Sequence, residues 1–263
     1  MFNVKLLLLK IALPALFLLL LFTGCQEEKS TLNLTEKSYT SADLPECKDD
    51  ICPKIDIQLL KAKGKSPLAT TINTAVEQKI AASLSISPDD ENRIKTIDQG
   101  ITNFIDSFRT ANAEFPDSSS SQEYEFTSNS AVSFENENLL SLKMETYSYW
   151  GGAHGYSSTS YLNFDKETAE VLTTEKLIKD KGKFKKLAEQ MFREQEEIPI
   201  DGNINETGFF FENDTFSLPI NIGFENDELI LIYNPYEVAS YAEGQIIIKI
   251  PKAEAAPFLS ERL

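Results

Sequence analysis

A chain of 263 residues, 41% hydrophobic and 25% charged, holds enough apolar material for one large or two small folded domains, which excludes wholesale disorder. Its 41 acidic against 25 basic side chains give a formal net charge of -16, opposite in sign to the surplus that reads a phosphate backbone, so no nucleic-acid partner is expected. One histidine and three cysteines exclude paired-imidazole sites and zinc ribbons, and no metal or other cofactor is expected.

The chain opens with Lys5 and Lys10, followed by an uncharged run from Ile11 to Phe22. A basic region before an apolar one reads as a secretory signal over residues 1–24. The alternative is a membrane anchor, since the run is nearly long enough to span. Leu21-Phe-Thr-Gly-Cys25 resembles the lipobox of bacterial lipoproteins, with Phe22 standing where leucine is more usual. That resemblance implies lipid attachment (palmitate among the acyl groups) at Cys25, and hence a membrane-bound protein of the cell envelope. Gln26-Glu-Glu-Lys29 resembles an export signal, which makes the outer membrane of a Gram-negative bacterium the expected location. Loss of Lys5 and Lys10 with the signal deepens the negative charge by two.

Residues 25–46 are polar and lack apolar periodicity, so they read as a flexible tether. In an exported chain, Cys47 and Cys52 at their short spacing suit a local disulfide better than a metal pair. Ile55, Ile57 and Leu59 alternate with polar neighbours over 54–62, the pattern of a half-buried strand. Ser66-Pro67 caps a helix carrying Leu68, Ile72, Val76, Ile80 and Leu84 at helical spacing. Ser87-Pro88-Asp-Asp-Glu91 predicts the start of a second helix, with Ile94, Ile97, Ile101, Phe104, Ile105 and Phe108 as its buried stripe.

After a serine-rich loop at 117–121 the pattern turns to strands. Tyr124, Phe126, Val132 and Phe134 share one parity, and a turn at 135–138 leads into Leu140, Leu142 and Met144. Further strands are expected at 161–164, 220–222, 229–233 and 245–250. An amphipathic helix through Phe184, Leu187, Ala188, Met191 and Phe192 lies between them, and a short helix closes the chain. Runs of strands with segregated helices make the fold class α+β, with antiparallel sheets in two small subdomains. The expected domains are 47–115 and 122–263.

Tyr147-Ser-Tyr149-Trp150-Gly151-Gly152-Ala-His154-Gly-Tyr156 gathers the only tryptophan and the only histidine. Its aromatics change parity after Met144, which means either a bulge or side chains on the opposite face. Tyrosine and tryptophan beside flexible glycines suit a recognition surface; the competing reading is a glycine hairpin whose aromatics pack into the core. His154 lacks the nucleophile context of a catalytic triad, so no catalytic residue is assigned. Asp201, Asn203, Asn205 and Glu212 fall at calcium-loop positions one, three, five and twelve, but Glu206 occupies the sixth position, where the turn needs glycine. A polar surface loop is expected there.

Tyr149-Trp-Gly-Gly-Ala-His154-Gly155 with Asn163-Phe-Asp165, and later Tyr233-Asn-Pro-Tyr236-Glu-Val-Ala239 with Ile248 to Pro251, resemble a known domain. It is the domain of unknown function that forms the extracellular part of RsiV-type lysozyme-sensing anti-sigma factors. The segment from Pro53 to Ala113 is similar to the smaller domain at the front of PdaC-type peptidoglycan deacetylases. The resemblance implies an antiparallel α+β fold, an envelope-facing location and protein binding rather than an enzyme. No stretch resembles the metal-binding motifs of the deacetylase domain. Only Met1 to Lys5 precedes the apolar run, so sigma-factor control is not expected. Carried over residue by residue, the binding surface is Tyr147, Tyr149, Trp150, Gly151, Gly152, His154, Tyr156 and Tyr236. A cationic protein such as a lysozyme-like muramidase is the expected partner, with peptidoglycan or another glycan as the alternative.

Overall fold

The computed structural model describes residues 32–48, 50–85, 94–114 and 123–260. Cys25 and its lipobox lie outside the described residues, and among those described no helix is long and apolar enough to cross a membrane.

The first element corrects the expected tether at 25–46. Leu34–Thr40 forms β1, which runs antiparallel to β2 (Lys54–Ala62) from Leu34 opposite Ala62 to Thr40 opposite Asp56. A strand at a sheet edge needs only one hydrogen-bonding neighbour and one sheltered face, so a polar sequence can form it. Between them Cys47 and Cys52 are joined by a disulfide, with Cα atoms 5.3 Å apart. Arg109 ties this loop down through the carbonyls of Glu46 at 2.6 Å and Ile51 at 3.4 Å.

Helix α1 (Pro67–Ser83) begins where the sequence places it, with the Ser66 hydroxyl accepting from the Ala69 amide at 3.2 Å. Helix α2 (Ile97–Glu114) buries the predicted stripe from Ile97 to Phe108, with Ile94 buried ahead of it, but it does not run on from Ser87. The start expected there lies outside the described residues, and Ile94 to Thr96 is not helical. Thr96 and Gln99 instead form a reciprocal cap, each side chain bonding the other's amide at 3.2 and 3.3 Å.

Strands β3 (Tyr124–Glu135), β4 (Leu139–Trp150) and β5 (Tyr156–Asp165) complete a five-stranded sheet in the order β1-β2-β3-β4-β5. All its pairs are antiparallel except β2 with β3, which is parallel because α1 and α2 form the crossover between them. The sheet therefore takes strands from both sides of the boundary expected at 115–122. Asn33–Leu263 forms one compact unit. A bulge between Val132 and Phe134 turns Phe134 away from the parity expected of it, onto the face of Ser141. There its ring meets Phe224 at 5.7 Å.

A second layer begins with α3 (Thr174–Leu177) and α4 (Lys181–Gln195), the latter capped by Asp180. Strands β6 (Asn221–Glu225), β7 (Glu228–Tyr233) and β8 (Ile246–Pro251) form an antiparallel three-stranded sheet, and α5 (Lys252–Ala255) closes it. One face of this sheet presents Leu229, Leu231, Tyr233, Ile248 and Ile250 to Phe184, Ala188 and Phe192 of α4. The other presents Ile230 and Ile232 to Tyr161 of β5. Each such phenylalanine or leucine contributes about 2 kcal/mol on leaving water. The architecture is α+β, with mostly antiparallel sheets.

Candidate functional site

Cross-strand partners share a face, so the register of the large sheet sorts its side chains. Ile55, Ile57, Phe126 and Met144 point to the side covered by α1 and α2, where Phe104 of α2 lies 6.1 Å from Phe126. The opposite face reads Asp56-Thr127-Tyr147-Ser157 in one row and Gln58-Asn129-Glu145-Thr159 in the next. The three-stranded sheet covers the far end of that face. Here Tyr161 donates to Glu225 at 2.6 Å, Asn163 donates to the Ile222 carbonyl at 2.8 Å, and the Phe224 amide donates to Ser141 at 3.3 Å. The Tyr161 ring lies so close to Gly223 that an added Cβ would sit 2.0 Å from it. The near end is left open as a polar groove of about 450 Å³, walled on one side by Gln245.

Both acids of the groove reach solvent, and Glu145 is paired at its edge with Lys143 at 3.3 Å. One row beyond, Lys54 pairs with Glu125 at 2.6 Å; hydrogen bonding to Glu125, then its charge, raises the Lys54 pKa. Glu225 feels burial first, which pushes its carboxyl up. The Tyr161 hydroxyl and Lys143 outweigh that effect and hold it below the ordinary range.

The segment after β7 docks on the free edge of β5 through one amide side chain. Asn234 accepts from the Thr159 amide at 2.8 Å and donates to its carbonyl at 3.1 Å, imitating a neighbouring strand. Gln245 supports it, donating to Asn234 at 2.9 Å. Beside this anchor the Tyr156 hydroxyl donates to the Pro235 carbonyl at 3.4 Å. Burial, then the charge of Glu237, raises the Tyr156 pKa, so its phenol stays a donor at neutral pH. Tyr236 follows with φ of 71° and 55% exposure. Its ring lies 5.7 Å from Tyr241, which stacks on His154 at 3.9 Å and donates to the Gly155 carbonyl at 2.8 Å. His154 Nδ1 sits 3.1 Å from that same carbonyl, and the imidazole is exposed.

The predicted surface residues divide into three groups. Tyr147 and Tyr149 stand on the groove face, Tyr149 donating to the Gly152 carbonyl at 2.9 Å. The change of parity after Met144 is thus a change of face, because β4 pairs with β5 without interruption from Leu139 to Ser148. His154 and Tyr236 join through Tyr241 in the aromatic rim, and Tyr156 touches its edge at the Pro235 carbonyl. Trp150 joins neither: alternation turns it toward α2, where it stands edge-on to Phe104 at 4.3 Å and to Tyr124 at 5.7 Å. Gly151 and Gly152 turn the chain there, with φ of 75° and 104°. Tyr241, Asn234, Thr159 and Gln245 were not singled out from sequence, though Asn234 lies inside the quoted Tyr233 to Ala239 stretch. Asp56, Gln58, Thr127 and Asn129 carried no signal beyond facing outward. Among the described residues no group of three or more His, Cys, Asp or Glu could hold a metal. The Asn205 side chain of the calcium-like stretch instead braces the Phe211 backbone, accepting at 2.8 Å and donating at 2.9 Å.

Two families match this chain. Residues 171–253 match DUF3298, described as a protein of unknown function, and residues 46–157 match the family described as deacetylase PdaC. The second match runs beyond the boundary expected at 115 and takes in β3 and β4. Comparison with curated proteins finds no match. Among solved structures, a DUF3298-family protein from Bacteroides fragilis NCTC 9343 is 18% identical with a TM-score of 0.67, over 88% of this chain and 95% of that one. A DUF3298-family protein from Pseudomonas aeruginosa PAO1 is 17% identical with a TM-score of 0.57, over 89% and 97%. At these identities the likeness is one of fold.

Proposed function

We propose that this is a non-catalytic, lipid-anchored envelope protein that binds a cationic protein, of the kind a lysozyme-like muramidase represents, at the aromatic rim and acidic groove. The observation that carries this reading is Tyr236, a bulky side chain in the left-handed region and largely in solvent. Such a backbone costs of order 1–2 kcal/mol, and strain of this kind collects at functional sites. Tyr241 and His154 widen the apolar contact, and Asp56 and Glu145 supply charge for a basic side chain. The excess of acid over base across the chain steers a cationic partner toward it.

Tyr236→Gly tests this reading, because it relieves the backbone while deleting the ring. Stability should hold or rise, and affinity for a cationic lysozyme should fall at least tenfold, with weaker binding of the parent at high salt. Unchanged affinity would overturn the rim as the contact.

The groove itself favours a second reading, a hydroxyl-rich glycan such as peptidoglycan. Three amides, two carboxylates and several hydroxyls line it beside a tyrosine ring. The family matched over 46–157 bears a deacetylase's name, which suits an envelope glycan. Asn129→Ala with Gln58→Ala should abolish retention on peptidoglycan while leaving lysozyme binding, which draws on Tyr236 and the two carboxylates, largely intact. Attachment at Cys25 is tested by Cys25→Ser, which should leave the chain unprocessed; a wild-type mass without lipid would oppose it.

A further inference from the structure

A second cavity, of about 540 Å³, opens where α1 approaches β5, α3 and the 218–222 segment. It lies between the two family matches, drawing Lys79 from one and Val171 to Ile222 from the other. Leu162, Val171, Leu172, Leu177, Leu218 and Ile222 give it an aliphatic wall, and Asn163, Asn221 and the paired Glu175 and Lys181 a polar one. Set among them is the half-buried amine of Lys79, whose pKa burial lowers, with the charge of Glu237 only partly opposing this.

Among the described residues no carboxylate lies within ion-pair distance of Lys79. The acids nearby have other partners. Glu175 pairs with Lys181 at 3.4 Å. Glu237 accepts from Asn234 at 3.2 Å and Asn221 at 3.5 Å. An ammonium withdrawn from water without a counter-charge is costly, and a bound carboxylate offsets that cost through a charge-assisted hydrogen bond. In a chain so rich in acid, a local positive charge inside an apolar cleft is also selective, since it favours the anion that carries its own apolar body.

We propose that this cavity binds a small organic anion, a carboxylate bearing a short aliphatic chain, with Lys79 holding the carboxylate and Leu162, Leu172 and Leu218 holding the chain. The volume accommodates a chain of about eight carbons, each buried methylene adding to affinity. The carboxylate could belong to a free fatty acid or to the end of a peptide; the two sources differ in whether the α-carbon carries an amide nitrogen.

Titration calorimetry on the full chain with sodium octanoate and with N-acetyl-leucine tests the proposal, with octyltrimethylammonium as the charge control. Saturable binding of one carboxylate is expected, and the tighter of the two assigns the source. Lys79→Met should weaken it at least tenfold, and Lys79→Arg should retain it. Ile220, 87% exposed at the mouth, offers a variant without folding cost: Ile220→Asp should also weaken the anion. Equal binding by the cationic amphiphile, no saturable binding of either carboxylate, or full affinity in Lys79→Met would each overturn the proposal. Tyr236→Gly should leave this binding unchanged, so the cavity and the rim stand or fall separately.

Discussion

Pleat alternation sends Tyr147 and Trp150 to opposite faces of β4, although only two residues separate them. The consequence is measurable, because the two faces answer to different quantities. Trp150→Ala should cost about 3 kcal/mol of stability through lost packing on Phe104 and Tyr124. Ligand affinity of the molecules still folded should not change. A denaturant titration beside a binding isotherm decides this, and loss of affinity at full stability would return Trp150 to the contact surface. Gly155 is tied to Tyr147 by space rather than by φ: an added Cβ would lie 2.3 Å from the phenol oxygen and 2.4 Å from the ring. Gly155→Ala should therefore cost about 1–3 kcal/mol by overpacking. It should also displace Tyr147 from the groove wall, which a shifted tyrosine resonance would report. Gly152→Ala, with nothing within 4 Å, isolates the cost of positive φ alone.

Elements here are held by side chains that imitate backbone. Asn234→Ala would strip both bonds from the buried Thr159 peptide groups, at a cost of about 3 kcal/mol, since each orphaned buried group carries its own desolvation penalty. Asn234→Asp keeps the acceptor and loses the donor, so it should fall between parent and alanine in thermal unfolding; an alanine variant as stable as the parent would refute the anchor. The disulfide loop is a lesser staple. Cys52→Ala should cost only about 2 kcal/mol, because closing so short a loop removes little chain entropy. Cys47 and Cys52 should resist alkylation until a reductant is added. The sequence showed such elements unevenly, for physical reasons. The stripe of α2 was legible because its burial is helical and local, and Ser66 because a cap is a contact of three residues. The start of α2 at Ile97 was not legible because Thr96 and Gln99 cap it only as a pair. Strand β1 was read as tether because an edge strand demands no apolar alternation. The rows of the groove could not be read at all, since they exist only once the parallel register of β2 on β3 is set by a crossover of two helices. The aromatic cluster was found, yet its division between two faces awaited the pairing of β4 with β5.

At the scale of the whole molecule, the question is what joins the small sheet to the large one. Apolar contact supplies part of it, with Ile230 and Ile232 on the Tyr161 ring over Gly223. The polar part converges on Glu225, which accepts from Tyr161 at 2.6 Å and pairs with Lys143 at 3.2 Å. Its folded pKa is depressed once those partners outweigh burial, so the linkage runs in a definite direction. The stabilisation is fully present above the unfolded value of a glutamate, about 4.3, and is lost as pH falls through the lower folded value. Glu225→Gln keeps an acceptor for the tyrosine and removes the charge that Lys143 faces. The variant should thus be less stable than the parent near neutral pH, and the gap should close as the parent's own carboxyl takes up its proton in acid. Unfolding both proteins in denaturant at pH 7 and again near pH 3 measures that gap twice. The two sheets would be held without this charge if the gap were the same at both values, or if glutamine were the more stable residue at neutral pH.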